Sequence, residues 1–201
     1  MKFDPPVAID YARYRALKLS LVKGIMTVTL SNPGRKNAAS PRTGDALGRS
    51  LGGCSGAGLA SDMVSASATA RFCDSHVKVG LVAGNGGVLL WPAAVGIHRA
   101  KGYLMTGRPV PAKVAEEIGL INRCIPDEEL DAYVQQIAEE LAALPPHAVN
   151  YTKASINLAL KQMTGNAFET SLAYEIYLMG DGRCLRGDRG VHAEAEGSLH
   201  R

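Results

Sequence analysis

The feature that most constrains the fold of this 201-residue chain is a glycine-rich apolar stretch, "HVKVGLVAGNGGVLLWPAAVG", at residues 76–96. Its glycines are Gly80, Gly84, Gly86, Gly87 and Gly96, and one amide, Asn85, lies at its centre. Glycine adopts backbone conformations that other residues avoid and lets other groups approach the main chain closely. The stretch is therefore open to three interpretations: a membrane span, a phosphate-binding loop, or the floor of an active site that begins at His76.

Two of these interpretations conflict with the residues present. A membrane helix needs ~20 consecutive apolar residues, and this marginal length is interrupted by five glycines and by Pro92, which break helices. A phosphate loop needs G-K-[ST] or a G-x-G-x-x-G run after a strand, and neither motif occurs here. The active-site interpretation is left, with Trp91 predicted to pack in the core.

Composition narrows the class of protein. A hydrophobic content of 46%, a charged content of 20% and a net charge of +3 are ordinary for a globular domain and give no reason to expect a nucleic-acid partner. Residues 1–53 carry nine Lys or Arg against three Asp, which suits a solvated basic face or an anionic ligand. Four widely spaced cysteines without a C-x-x-C pair, and no signal-peptide pattern, predict reduced thiols, no metal site and a cytoplasmic location without membrane attachment.

The pattern changes along the chain from α/β to helical. Alternating apolar residues on either side of Lys23-Gly24 predict a hairpin over 17–30. Past Pro126, apolar residues at spacings of three and four predict an amphipathic helix that Asp127 caps and Pro145-Pro146 ends. We predict an α/β core over 1–107, a helical region over 108–179, and a poorly ordered glycine-rich tail over 180–201.

Three segments in order resemble the enoyl-CoA hydratase/isomerase (crotonase) superfamily. "SNPGRKNAAS" is similar to the family's N-x-P-x-x-x-N-A loop. "SDMVSASATARFCDSHVKVGLVAGNGG" resembles the run C-D-[IL]-x-x-A-x-x-A-x-F-x-x-P-E-[IV]-x-x-G-[IL]-x-P-G-x-G-G. "YLMTGRPVPAKVAEEIGLINRCIPDEEL" resembles the T-G and G-L-V segments that follow. The resemblance implies a crotonase-like α/β fold, a truncated (ββα) superhelix with a helical C-terminal region.

The same resemblance implies a function. Family members bind acyl-CoA thioesters and stabilise an enolate on the thioester carbonyl through two backbone N–H groups. It places Lys36, Asn37 and Ala38 at the CoA cleft. One oxyanion N–H comes from Gly56, Ala57 or Gly58, of which Gly58 is a candidate catalytic residue and Gly56 and Ala57 also belong to the binding site. No cofactor is implied beyond the coenzyme A of the substrate, and the family fold implies a homo-oligomer, a trimer or hexamer.

This chain departs from the family pattern in ways that keep two functions open. The A-F-x-A-G-x-D oxyanion loop is absent, as expected for an internal deletion, and no carboxylate stands at the slot of the first catalytic glutamate. His76 occupies the slot of the second glutamate and can act as an acid or base, while Asn85 lies where relatives carry an acid facing the acyl chain. The chain is therefore a hydratase/isomerase-type enzyme, or an inactive homologue that retains at most partial CoA binding or oligomerisation.

Overall fold

A computed structural model of the chain describes residues 17–30, 59, 61–84 and 86–180. The chain divides into two units, Met1–Ala57 and Gly58–Arg201. The predicted tail lies outside the described residues beyond Gly180, so its order stays a prediction.

In the first unit, the described residues form the predicted hairpin. Strand β1 (Leu17–Val22) pairs antiparallel with β2 (Ile25–Leu30), and Val22 lies opposite Ile25 across the turn. The two turn residues, Lys23 and Gly24, have φ values of 50° and 80°. Positive φ at both central positions is the geometry that matches the right-handed twist of paired strands, and the hairpin prediction is confirmed.

In the described part of the second unit, short strands alternate with helices as far as Ile125, and only helices follow that residue. The strands are β3 (Ser65–Ser67), β4 (Arg71–Phe72), β5 (Val110–Pro111) and β6 (Arg123–Ile125). The helices are α1 (Gly87–Val95), α2 (Ile97–Leu104), α3 (Ala112–Glu117), α4 (Leu130–Ala143), α5 (Pro146–Thr164) and α6 (Ala167–Gly180). Strand β3 pairs parallel with β6, and β4 pairs antiparallel with β5.

The glycine-rich stretch folds as a turn followed by a helix. A 3₁₀ turn at His76–Val79 is followed by a loop, and α1 begins after Gly86, whose φ is 114°. The helix continues through Pro92 and stops before Gly96 at φ 80°, so the glycines set its bounds and Pro92, contrary to expectation, does not break it. Across the described part of the chain, no helix combines the length and apolarity that crossing a bilayer requires.

A small apolar core holds this stretch in place. Its buried members are Ala66, Trp91, Val95, Ala100, Val110, Ala112, Ala115, Leu120 and Ile121. The ring of Trp91, which is 3% exposed, packs on Tyr103 with ring centroids 5.7 Å apart, as predicted for a core residue. Helix α1 thus has a fixed position against α2 and the strands, and the loop that leads into it is anchored.

The C-terminal helices confirm the predicted helical region with one local correction. Helix α4 ends before Pro145 as expected, but Asp127 does not cap it. Asp127 is instead the first residue of a 3₁₀ turn, Asp127–Glu129, that leads into the helix. The Asp127 carboxylate instead accepts hydrogen bonds from the hydroxyls of Ser67 and Thr69, each at 2.7 Å. The side chain that the sequence predicts as a helix cap is therefore bonded instead to two hydroxyls, one at the end of β3 and one two residues after it.

Candidate functional site

The imidazole of His76 is held by a carboxylate two residues before it. Nδ1 of His76 lies 2.7 Å from Oδ1 of Asp74, and the same oxygen accepts the main-chain N–H of His76 at 3.2 Å. Aspartate commonly folds back on the backbone two residues on, so this local turn fixes both the loop and the ring. Asp74 therefore sets the orientation of His76.

A second carboxylate faces the other ring nitrogen. Oε1 of Glu175, from helix α6, lies 3.7 Å from Nε2 of His76. Glu175 is only 6% exposed, and its helix packs against α1. Burial of a carboxylate is costly unless a charge or donor compensates it, and the facing imidazole supplies that compensation.

The glycines of the stretch make room for these two carboxylates. A Cβ placed on Gly84 would overlap the Glu175 side chain and would lie 2.8 Å from the carbonyl oxygen of Ser171. A Cβ on Gly87 would overlap the Asp74 carboxylate. Both acidic groups thus lie directly against glycine backbone, which favours the active-site interpretation of residues 76–96.

The surroundings of His76 favour its protonated form. Its pKa is raised above the ordinary value, first by the hydrogen bond to Asp74 and then by the negative charges of Asp74 and Glu175. Partial burial, which disfavours charge, acts in the opposite direction and is outweighed. A histidine of this kind can donate a proton near neutral pH and take it back, which is the requirement for general acid–base catalysis.

The thiol beside the cluster is not set up as a nucleophile. Cys73 donates a hydrogen bond from Sγ to the carbonyl oxygen of Gly107 at 3.3 Å, and burial raises the pKa of its thiol. The thiolate is the reactive form of cysteine, so this environment lowers its reactivity. Within residues 59–180, as far as they are described, no group of three His, Cys, Asp or Glu side chains is arranged to hold a metal ion.

Of the predicted site residues, the structure describes one, His76, and places it in this cluster. The other predicted positions lie outside the described residues, so their roles stay predictions: Lys36, Asn37, Ala38, Gly56, Ala57, Gly58 and Asn85.

Sequence reasoning missed both carboxylates. The signal for Asp74 was present, because the spacing Asp-x-His suits a local turn. Glu175 is the one acid in the apolar run "LAYEIYLM", which could have marked it as unusual. Its approach to His76, 99 positions earlier in the chain, depends on helix packing that no local pattern encodes.

Comparison with known proteins identifies the family. The profile of the enoyl-CoA hydratase/isomerase family matches residues 45–180, more than half of the chain. The chain belongs to the enoyl-CoA hydratase/isomerase family.

Two curated relatives illustrate the extent of the match. A short-chain-enoyl-CoA hydratase of Clostridioides difficile is 36% identical over 62% of this chain and 81% of its own length. A 1,2-epoxyphenylacetyl-CoA isomerase of Escherichia coli is 34% identical over 58% of this chain and 43% of its own length. Several further relatives are matched over only 39–57% of their length, so the chain spans about half of those proteins.

Solved structures show the same fold. An enoyl-CoA hydratase/isomerase from Pseudoalteromonas atlantica superposes with a TM-score of 0.80 over 90% of this chain and 98% of its own, at 22% identity. One from Mycobacterium paratuberculosis gives a TM-score of 0.58 over 65% and 52% of the two chains, at 34% identity. The α/β fold is therefore crotonase-like, as the sequence resemblance implied.

Proposed function

We propose that this protein acts on an acyl-CoA thioester as a hydratase or isomerase, with His76 as an acid–base group. The observation that carries the proposal is the oriented imidazole: Asp74 holds it at 2.7 Å, in the slot where the family pattern has a glutamate. A histidine can perform the same proton transfers as that glutamate. The clostridial hydratase and the Escherichia coli isomerase, whose names both specify CoA thioesters, support the substrate class.

The chemistry requires more than His76. A backbone N–H of Gly56, Ala57 or Gly58 stabilises the enolate oxygen, because an oriented dipole in a dry site needs no reorganisation as charge develops. Lys36, Asn37 and Ala38 contact coenzyme A, and the Asn85 amide orients the acyl carbonyl. The substrate carries its own coenzyme A, so no separate cofactor takes part. The cytoplasmic location stays a prediction.

Hydration of crotonyl-CoA tests the proposal. Loss of the thioester enone absorbance above the buffer rate supports it, and His76→Ala is expected to lower the rate by about 10²- to 10⁴-fold. His98 is exposed on α2, so His98→Ala is the matched control and leaves the rate unchanged. Circular dichroism of each variant verifies that the protein is folded.

The inactive homologue makes the opposite prediction. It gives no turnover above buffer, and calorimetry with CoA then distinguishes partial binding, which releases or absorbs heat, from none. The alternative is favoured by the sequence, which lacks the A-F-x-A-G-x-D loop and both glutamates.

We also infer that the chain forms a homo-oligomer, a trimer or hexamer. Large apolar side chains remain exposed along α4, α5 and α6 and at Leu144 between α4 and α5, and burial of such side chains in a subunit interface would remove them from water. They include Val134, Leu141, Leu144, Tyr151, Ile156, Leu158, Phe168, Leu172, Ile176 and Tyr177. Sedimentation equilibrium should give a mass three or six times that of the chain, whereas a monomer mass over the micromolar range contradicts the inference.

A further inference from the structure

We propose that Glu175, on helix α6, is a catalytic residue and the acid–base partner of His76. This inference rests on the proposed hydratase function and deepens it. Glu175 supplies from the C-terminal helix the carboxylate that the sequence lacks at the slots of the family's two glutamates. The proposed reacting centre is then a pair of side chains, His76 from the 3₁₀ turn and Glu175 from helix α6.

The distance between the two groups suits a shared small molecule. Oε1 of Glu175 and Nε2 of His76 are 3.7 Å apart, within the range of an ion pair but beyond a normal hydrogen bond. A water oxygen about 2.8 Å from each atom completes a triangle over this gap. In the proposed reaction the substrate water lies between these two groups, on the side of the ring opposite to the nitrogen that Asp74 contacts.

The charges of the two groups assign them different tasks. Two carboxylates face the imidazole, Asp74 beside Nδ1 and Glu175 beside Nε2, and both favour its protonated form. The imidazolium is then the proton donor and the Glu175 carboxylate the proton acceptor. One group thus gives a proton to the substrate while the other takes one from water, as general acid–base catalysis requires.

The hydration step balances with these two groups alone. The water oxygen bonds to Cβ of the enoyl thioester, its proton passes to the Glu175 carboxylate, and the π electrons move to the thioester as an enolate. Cα of the enolate then takes the proton from Nε2 of His76. A proton transfer from Glu175 to His76 restores both groups, so no further reactant is consumed.

Glu175 is held in place by close packing and is not a surface side chain. A Cβ on Gly84 would overlap its side chain, so the chain keeps a glycine where the carboxylate lies against the backbone. Its neighbours on α6, Tyr174 and Ile176, are 59% and 61% exposed, while Glu175 is turned inward. An acid directed inward while its apolar neighbours face outward points to a role beyond helix solubility.

Glu175→Gln and a matched control test the proposal in the full chain. Glutamine keeps the shape and removes the acid, so kcat for crotonyl-CoA hydration should fall about 10²-fold or more while KM changes little. Glu169, exposed on the same helix, provides the control, and Glu169→Gln should leave kcat unchanged. Glu175→Asp keeps the charge but withdraws it by one methylene, and it should retain an intermediate rate.

Readouts other than rate separate catalysis from packing. NMR titration of the His76 ring should show a lower pKa in Glu175→Gln, because a facing negative charge is removed, and the pH–rate profile should change shape with it. Circular dichroism should show native helix content. If Glu175→Gln misfolds, Glu175→Asp tests the proposal in its place. A wild-type rate in Glu175→Asp would contradict the requirement for a carboxylate at this exact position.

Two negative results are distinguishable. Wild-type turnover with an unchanged rate and pH profile in Glu175→Gln overturns the role of Glu175 and leaves the hydratase function intact. A wild-type chain without turnover overturns the proposed function and, with it, the role of Glu175.

Discussion

Nδ1 of His76 lies 2.7 Å from Oδ1 of Asp74, so the orientation of the imidazole is set within a three-residue turn. The pair is local in sequence and is completed by the main-chain N–H of His76 on the same oxygen. A histidine whose one nitrogen is held by a carboxylate presents the other nitrogen in a defined direction. That direction is toward Glu175 on α6, and the orientation explains why one substitution at position 74 should change the titration of residue 76.

The first prediction concerns the pKa of His76. Asp74→Asn removes the largest cause of the raised value, so the His76 resonance should titrate at lower pH in the variant than in the wild type. NMR detection of the ring protons measures this directly. Asp131 is exposed on α4 and makes Asp131→Asn a suitable control. Identical His76 titrations in the wild type and Asp74→Asn would contradict the hydrogen bond.

The second prediction concerns the effect of His76 protonation on the free energy of unfolding. The folded-state pKa of His76 is raised above its unfolded value of ~6.5, so the folded state binds its proton more tightly. This stabilisation is fully present below the unfolded pKa and is lost as pH rises through the folded pKa. Urea unfolding across that window should show a decreasing free energy of unfolding, and His76→Gln should flatten the decrease. An equal slope in both proteins rules the linkage out.

The sequence predicted the fold because its signals were local. The Lys23-Gly24 hairpin needed only turn chemistry and alternation, and the crotonase-like class followed from motif order. Pro92 was misjudged, because helix α1 accommodates it between Trp91 and the terminal Gly96 instead of ending there.

The site was only partly predictable. His76 stood out because it replaced a glutamate within a motif, which is information contained in a few residues. The prediction that Asp127 caps a helix was wrong because its hydrogen-bond partners, Ser67 and Thr69, lie about 60 residues away in the sequence. Glu175 reaches His76 in the same way through tertiary packing, in this case of α6 on α1.

The third prediction tests the close packing at Gly84. In Gly84→Ala the new Cβ would overlap Glu175 and approach the carbonyl oxygen of Ser171 to 2.8 Å. Because backbone cannot yield easily, the variant should lose about 1–3 kcal/mol of unfolding free energy. Gly102 lies inside α2 with nothing within 4 Å of its Cβ position. Gly102→Ala should therefore stabilise by roughly 0.5–1 kcal/mol, and equal effects of the two substitutions refute the packing argument.

The fourth prediction concerns the Asp127 network. Hydrogen bonds from Ser67 and Thr69 lower the pKa of the Asp127 carboxyl, so its stabilising contribution is present above the unfolded pKa and is lost as pH falls through the folded pKa. Asp127→Asn should reduce the melting temperature at neutral pH and should narrow its difference from the wild type in acid. Glu128→Gln, one position on and exposed, is the control. A difference that stays constant down to strongly acidic pH contradicts the assignment.

The fifth prediction concerns an ion pair whose short distance overstates its contribution. Nζ of Lys153 and Oδ2 of Asp62 are 2.5 Å apart, yet their side chains are 52% and 54% exposed. Water screens such a pair, and holding two long side chains costs entropy, so Lys153→Ala should change the unfolding free energy by less than about 1 kcal/mol. Val110, which is 0% exposed in the core, gives the reference: Val110→Ala should cost about 1–3 kcal/mol through lost apolar burial and a cavity. Urea denaturation of both variants checks the ranking, and a loss for Lys153→Ala as large as that for Val110→Ala means that the pair is better shielded from solvent than its exposure indicates.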